Sequence, residues 1–249
     1  MAITPETPVV LISGANQGIG LAAAKILAVK HKYHVVIGSR NVAAGEAAAK
    51  TISSEGGSAS RVQLDLTSDD TIATTVKYIS DTYGRLDVLI NNGGVLMDVD
   101  HASHLSTREL FTRTFNTNVI GTACLTEACL PLLRKSSSHP RIVFVSSTMG
   151  SLKVATDKDA MFYSMDFKAY DSSKAAFNML ALNYARMLSD VGGLVNCVCP
   201  GVVQTNLTSY NQENGHTPEV GAKRIVELAT LPKGGETATF SDMNGPIPW

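Results

Sequence analysis

Residues 9–21 (VVLISGANQGIGL) constrain the fold more than any other stretch of this chain. The first four, VVLI, are a run of apolar and β-branched residues that predicts a buried strand, and the stretch ends where a helical pattern begins. Between them stand Gly14, Gly18 and Gly20, which let the backbone turn tightly and approach a ligand closely. Because the N-terminus of the next helix favours an anion, the unit predicts a pyrophosphate site, although its spacing G-x-x-x-G-x-G differs from the commoner G-x-G-x-x-G.

Apolar runs that predict strands alternate with helical patterns along the chain. Strands are expected at 9–12, 34–38, 61–66, 86–91, 141–146 and 194–199, and helices at about 18–30, 43–53, 68–82, 107–133, 167–189 and 217–229. Ser68 would cap the third helix and Pro218 would start the last. Continuous apolar strands separated by helices are typical of a parallel sheet covered on both faces. The sequence therefore predicts a single doubly wound, Rossmann-type α/β domain over 1–249, with ligands at the carboxyl ends of its strands.

The composition argues against several classes of protein. Lys and Arg number 21 against 22 Asp and Glu, so nothing indicates binding to nucleic acid or to an anionic membrane. No apolar run approaches the ~20 residues of a membrane-spanning helix, and the opening MAITPETP lacks the features of a secretory signal. The four cysteines lack metal-ligand spacing and are expected to be reduced, buried thiols of a cytoplasmic protein: Cys124, Cys129, Cys197 and Cys199.

Ser39 and Arg40 follow the second strand, where a dinucleotide-binding domain often carries an acidic side chain for the adenosine ribose. A carboxylate would repel a 2′-phosphate, whereas a guanidinium binds it with two hydrogen bonds. Arg40 therefore favours NADPH/NADP⁺ over NADH. The alternative is a solvated surface arginine.

Three other polar positions allow both a functional and a structural interpretation. Asp65, at the end of the third strand, either meets an adenine ring or caps the next helix. The Asn-Asn-Gly-Gly loop at 91–94 either lines a cofactor trench or only forms a turn. Asn118 lies inside a predicted helix, where asparagine has low propensity, and either bonds its own backbone or holds a water.

Tyr170 and Lys174 are four residues apart in a predicted helix, so their side chains share one face. A nearby ammonium lowers the pKa of a tyrosine, which would let this pair exchange a proton with a substrate oxygen near neutral pH. Ser146 and Ser147 close the fifth strand, where a hydroxyl can bond a carbonyl oxygen. The sequence shows no activated Ser-His-acid set, so it does not indicate a hydrolase.

Taken together, these residues resemble the short-chain dehydrogenase/reductase family, in its short single-domain branch, over about residues 8–205. The order and spacing of the motifs carry the resemblance rather than any single motif. The matching positions are the three glycines with Ser13 in place of the usual threonine, Asp65, the loop Asn91-Asn92-Gly93-Gly94 with glycine in place of alanine, Asn118, Ser147, Tyr170 with Lys174, Pro200-Gly201 and Thr205.

The resemblance implies an oxidoreductase. Tyr170 would protonate a carbonyl oxygen as hydride arrives from the nicotinamide, while Lys174 would lower the pKa of Tyr170 and bind the nicotinamide ribose. Ser147 would orient the carbonyl, and Asn118 would hold a water that completes a proton relay. The residues expected to bind NADP(H) are Gly14, Asn16, Gln17, Gly18, Ile19, Gly20, Ser39, Arg40, Asp65, Leu66, Asn92, Gly93, Gly94, Tyr170, Lys174, Pro200, Gly201, Val203 and Thr205.

The chain also departs from the family pattern. Ser147 and Tyr170 are farther apart than is usual, and the extra segment near 151–167 resembles, in shortened form, the insertion of the monomeric carbonyl reductases, as does the closing GPIPW. The segment would either cover the substrate or block the helix pairing of tetrameric relatives. Because the second arrangement prevents assembly, a monomer is slightly favoured over a homo-oligomer. Gln17 stands where many NADPH-dependent members have lysine or arginine, so the cofactor prediction depends on Arg40.

The sequence thus predicts an NADPH-dependent reductase of a small ketone or aldehyde. The same residues would serve an NAD(P)-dependent alcohol dehydrogenase that works in the oxidative direction. A non-catalytic dinucleotide-binding regulatory protein is the alternative from another class, although the complete set of catalytic residue types argues against it. A sugar epimerase is disfavoured by the short chain and by the glycine spacing.

Overall fold

Within residues 4–99 and 104–249, which the computed structural model describes, the chain forms one eight-stranded sheet. The strands are β1 (Val9–Ser13), β2 (His34–Ser39), β3 (Ser58–Gln63), β4 (Val88–Asn91), β5 (Arg141–Val145), β6 (Leu194–Val198), β7 (Phe240–Asp242) and β8 (Gly245–Pro246). Their order across the sheet is β3-β2-β1-β4-β5-β6-β7-β8, and only the β7–β8 pair is antiparallel. The predicted doubly wound α/β fold is confirmed.

Helices cover both faces of the sheet. They are α1 (Gly18–Val29), α2 (Val42–Ser54), α3 (Asp69–Tyr83), α4 (Thr107–Phe115), α5 (Thr122–Leu133), α6 (Lys168–Met187), α7 (Ser209–Asn214) and α8 (Pro218–Ala229). Neighbouring strand residues point to opposite faces, so Leu11 joins the core under α3, α5 and α6 while Ile12 joins the core under α1, α2 and α8. Among the described residues, no helix is both long and apolar enough to cross a membrane.

The helix ends follow the predicted capping signals where those signals are strong. Ser68 accepts a hydrogen bond from the Thr71 N–H and caps α3, and Pro218 is the first residue of α8. A Ser106–Glu109 capping box starts α4. These caps satisfy N–H groups that a helix leaves unpaired at its N-terminus.

The helix predicted over 107–133 is interrupted in the structure. A π-helical stretch, Asn116–Gly121, separates α4 from α5. A Cβ at Gly121 would lie only 2.0 Å from the carbonyl oxygen of Leu66, so glycine lets the helix pass very close to the loop after β3. The wider turn was not predicted because a π-helix has no composition signal of its own; such turns often occur at functional sites.

The edges of the sheet are where the sequence prediction is least accurate. The third strand was expected at 61–66 but spans Ser58–Gln63, and its residues are mostly half-buried or exposed. Leu64 and Leu66 are buried in the loop after the strand, so their apolar character indicated burial rather than pairing. The short elements β7, β8 and α7 were not predicted because two to six residues give too little periodicity to detect.

Candidate active site

A cavity of about 470 Å³ lies along the carboxyl ends of the parallel strands. Its walls bring together most of the residues expected to bind the cofactor: Gly14, Asn16, Gln17, Gly18, Ile19, Gly20, Ser39, Arg40, Asp65, Leu66, Asn92, Gly93, Gly94, Tyr170, Lys174, Pro200 and Thr205. Gly201 and Val203 are not on these walls. Val203 is buried and its backbone pairs with His216, beside which Gly201 also lies.

The loop at 91–94 holds the glycine turn in place. The Ser13 hydroxyl oxygen accepts hydrogen bonds from the N–H groups of Asn92 (3.0 Å) and Gly93 (2.9 Å). The Asn92 amide donates to the carbonyl oxygens of Ser13 (2.9 Å) and Gly14 (3.2 Å). Asn91, in contrast, is buried and donates to Thr126 of α5. The loop therefore does more than reverse the chain: its hydrogen bonds hold the glycine turn against the end of β4.

The glycine turn has no room for side chains. Gly14 has φ +66°, and a Cβ there would lie 3.1 Å from the Cα of Gly93. At Gly20 a Cβ would lie 2.6 Å from the Asn92 amide nitrogen. No described side chain caps α1, whose N-cap residue is Gln17. Bare backbone and open N–H groups at a helix N-terminus are what a pyrophosphate requires, so the residues present fit a dinucleotide.

Arg40 and Asp65 lie at the end of the cavity reached by β2 and β3. Arg40 is exposed, and no carboxylate of the described residues lies within ion-pair distance of it. Asp65 does not cap α3, because Ser68 does; its Oδ1 accepts from the backbone N–H (2.9 Å) and hydroxyl (2.8 Å) of Thr67. An unpaired guanidinium beside the cavity is free to meet an anion.

Lys174 lies in the second turn of α6 and is almost fully buried. Its Nζ donates to the carbonyl oxygen of Val145, the last residue of β5, at 2.8 Å. The same Nζ is 4.4 Å from the ring centroid of Phe177 and 5.6 Å from that of Tyr170. Burial lowers the pKa of Lys174 to about 8, because removing an ammonium from water disfavours its charge. The side chain is thus fixed beside Tyr170.

Tyr170 is buried in the first turn of α6 with its side chain on the cavity wall. Burial raises the pKa of Tyr170 above its ordinary value, and a hydrogen bond with Ser147 opposes that shift. The sequence predicted the opposite direction, a lowering by Lys174. Burial dominates here, and it keeps the phenol protonated at neutral pH.

The two serines after β5 have different partners. Ser146 is buried, and its hydroxyl donates to the Asn178 side-chain oxygen of α6 at 2.6 Å. Ser147 is only half-buried, and its hydroxyl oxygen accepts from the Met149 N–H at 3.2 Å. Ser146 lies on the cavity wall with Tyr170 and Lys174, whereas Ser147 is not on that wall and is linked to Tyr170 only by lowering the pKa of its phenol.

Asn118 is fully buried in the π-helical stretch, and its side chain is occupied by protein groups. Its Oδ1 accepts from the Val95 N–H at 2.8 Å, and its Nδ2 donates to the Val95 carbonyl at 2.9 Å and to the Ser173 hydroxyl at 3.0 Å. The side chain thus clips the loop after β4 to α6.

With this geometry established, the comparison with known proteins is specific. Residues 8–215 match the family model described as short chain dehydrogenase. The chain belongs to the short-chain dehydrogenase family. The sequence resemblance is therefore confirmed.

The relatives of this short-chain dehydrogenase cover nearly its whole length. The short-chain dehydrogenase anuI of Penicillium roqueforti is 36% identical over 227 residues, which are 90% of this chain and 88% of that protein. Carbonyl reductase (NADPH) 1 of Sus scrofa is 29% identical over 269 residues, covering 94% and 91% of the two chains. A structure described as a Shigella flexneri short chain dehydrogenase complexed with NADP superposes with a TM-score of 0.79 and 27% identity, covering 94% and 96%.

Sequence reasoning missed the residue that fixes the start of α6 in this short-chain dehydrogenase. Asp98 is buried, and its two carboxylate oxygens accept from the N–H groups of Ala169 (3.0 Å) and Tyr170 (3.1 Å). An acidic group is also favourable at the positive end of a helix. The cavity lining that went unpredicted comprises Ser13, Asn41, Leu64, Val95, Leu96, Met97, Thr117, Val145, Ser146, Asn206 and Leu207.

Proposed function

We propose that this short-chain dehydrogenase uses NADPH to reduce a ketone or an aldehyde to the alcohol. One observation carries the proposal: Tyr170 and Lys174 line the same cavity as Arg40. The cavity thus offers a group suited to a 2′-phosphate and a group suited to proton transfer. NADPH, when bound, supplies the hydride that reaches the carbonyl carbon.

The trench offers a contact for each part of the cofactor. The glycine turn and the N-terminus of α1 would hold the pyrophosphate, and Arg40 would bind the 2′-phosphate. Lys174 would bind the nicotinamide ribose, and Thr205 would meet the carboxamide; both lie on the cavity wall. The NADP complex of the Shigella flexneri protein and the NADPH in the name of the pig relative support this choice.

The protein's own groups supply the proton. The Tyr170 hydroxyl would give its proton to the carbonyl oxygen, and the Ser147 hydroxyl would donate a hydrogen bond to the same oxygen, fixing the face of the carbonyl that is presented. Lys174 would stabilise the phenolate left on Tyr170. A water held at Asn118 would return the proton from solvent through the relay.

The direction of the reaction is argued from the protonation of Tyr170. Burial raises the pKa of this phenol, so at neutral pH it carries the proton that reduction consumes. Oxidation of an alcohol would need the phenolate. The same side chains serve both directions, and reduction is the direction that starts from the protonated phenol.

We further infer a cytoplasmic protein, because the four cysteines are free thiols, which fits a reducing compartment.

The prediction of a monomer rested on the segment 151–167 covering the outer face of α6. Phe162, in the middle of that segment, instead contacts Tyr210 of α7, and Met179 on α6 is 57% exposed. The Phe162–Tyr210 contact fits the alternative in which the segment lies over the substrate, and the monomer stays a prediction.

A panel of ketones and aldehydes, assayed with NADPH and with NADH, tests the proposal. We expect turnover of at least one carbonyl class, with cofactor oxidised in step with alcohol formed, and about tenfold or better selectivity for NADPH, as one lost ionic contact implies. Cofactor binding without turnover of any carbonyl would favour the regulatory protein instead.

A further inference from the structure

The stretch 148–167 begins and ends at catalytic residues. It leaves the sheet directly after Ser147 and enters α6 at Lys168, two residues before Tyr170. Its first part is fixed: the Ser151 hydroxyl donates to the Pro248 carbonyl at 2.6 Å, and the Lys153 N–H donates to the Trp249 carbonyl at 3.0 Å. The first part of the stretch is therefore held against the C-terminal residues.

The middle of this stretch reaches the loop after the neighbouring strand. The rings of Phe162 and Tyr210 meet edge to face, with centroids 6.4 Å apart and planes at 82°. Tyr210 lies on α7, three residues beyond Leu207, which lines the cavity. Because β5 and β6 are parallel neighbours, the two loops flank the same end of the sheet, and the Phe162–Tyr210 contact joins them across it.

The two facing segments are apolar or uncharged, and several of their large side chains lie open. Residues 160–165 read AMFYSM and residues 205–212 read TNLTSYNQ, without a charged side chain. Met161 is 72% exposed, Met165 51%, Tyr163 49% and Tyr210 46%. Exposed apolar groups gathered in this way mark a binding surface. Continuity with the cavity at Leu207 indicates that its occupant is the substrate itself.

We propose that Phe162 and Tyr210 form an aromatic wall that selects carbonyl substrates with a bulky, apolar ring system over small aliphatic ones. This inference rests on the proposed reductase function and adds its substrate class. A flat or folded hydrocarbon ring would pack on the two aromatic side chains and cover the exposed methionines. A short aliphatic ketone is too small to make these contacts.

The test compares two neutral ketones, 2-decalone with two fused rings and butan-2-one without rings, on the wild type and on Phe162→Ala, Tyr210→Ala and Tyr210→Phe. We expect wild-type kcat/KM to favour 2-decalone by about tenfold or more, and both alanine variants to lower that ratio by about tenfold, mainly through KM. Tyr210→Phe keeps its ring and should keep the ratio. Met187→Ala, an exposed methionine at the far end of α6, is the matched control.

Each outcome separates the two proposals. NADPH affinity should be unchanged in Phe162→Ala, because Phe162 is not on the cofactor wall. If both ketones are reduced but the ratio does not move, the substrate-class proposal is overturned while the reductase function stands. A lower molecular mass by light scattering in Phe162→Ala, at an unchanged ratio, would assign the face to a second copy and also overturn it. Binding of NADPH without reduction of either ketone would overturn the substrate-class proposal, and the reductase function would fall with it only if the wider carbonyl panel were also left unreduced.

Discussion

Neighbouring residues of one chemical type can have separate tasks, as the two serines after β5 show. Ser146 donates to the buried Asn178 amide, while Ser147 accepts from the Met149 N–H and lowers the pKa of Tyr170. The sequence identified the pair but assigned the role only through the family resemblance, because burial and partners are set by packing. The same holds for Asn118, whose side chain proves to be a clip between two elements.

Tyr170→Phe removes one hydroxyl and keeps the ring in its packed site. Turnover should fall by about 10²–10⁴, the usual effect of losing a positioned acid, whereas folding and NADPH affinity should survive. Steady-state kinetics and a cofactor titration measure the two effects. Tyr184→Phe, a tyrosine further along the same helix and away from the cavity wall, is the control and should retain its turnover. Near-normal activity of Tyr170→Phe would move the acid to another group.

Arg40→Ala should weaken NADPH selectively. The loss of one charged contact to the 2′-phosphate corresponds to roughly 1.5–3 kcal/mol, or about tenfold or more in Kd, and NADH has no such phosphate to lose. Titration of both cofactors against wild type and variant measures this, with the exposed Arg113→Ala as control. Equal losses for NADPH and NADH would contradict the assignment of Arg40.

At the scale of an element, β2 begins with a buried polar network at the sheet edge opposite the cavity. The His34 ring nitrogens lie 2.8 Å from the Ser58 hydroxyl and 3.0 Å from that of Ser60, and the Tyr83 hydroxyl is 2.8 Å from Nε2. Burial lowers the pKa of His34 to about 4, since the imidazolium would lose its water. The network therefore requires a neutral imidazole.

This network predicts a loss of stability in mild acid. Between pH 6.5 and about 4 the unfolded chain binds a proton at His34 that the folded protein does not, so the free energy of unfolding falls as the pH falls through that window. From pH 7 to pH 5 the loss is about 1–2 kcal/mol. Urea unfolding of wild type and His34→Gln at both pH values measures it, with the exposed His31→Gln as control. An equal pH dependence in wild type and His34→Gln would contradict the assignment.

The accuracy of the sequence prediction differs between elements for physical reasons. Central strands such as β1 and β5 are buried on both sides, so their apolar runs mark them clearly. The edge strand β3 lacks that constraint and was placed three residues late. Asp98 was missed because its partners, Ala169 and Tyr170, lie more than seventy positions away in the sequence. Contacts of this kind depend on the finished fold.

At the scale of the whole molecule, the order of the strands places the candidate cofactor-binding and catalytic residues at one end of the sheet, where the carboxyl ends of the parallel strands meet. Loops after β1, β2, β3, β5 and β6 all contribute to the wall of one cavity, and Tyr170 and Lys174 of α6 lie on the same wall. A doubly wound sheet gathers ligands at the carboxyl ends of its strands. The motifs were therefore predictable as a set, since each follows a strand, while the contact between Phe162 and Tyr210 was not.

The residues on either side of the stretch 148–167 are held in place, and this affects how the substrate specificity of such a protein can change in evolution. Ser147 is held by β5, and Tyr170 is held by Asp98 and by the helix that carries Lys174. The residues between them are free to lengthen, shorten or change character while proton transfer keeps its geometry. We therefore expect new substrate specificities to arise by exchange of this one stretch, while the residues proposed for proton transfer stay the same.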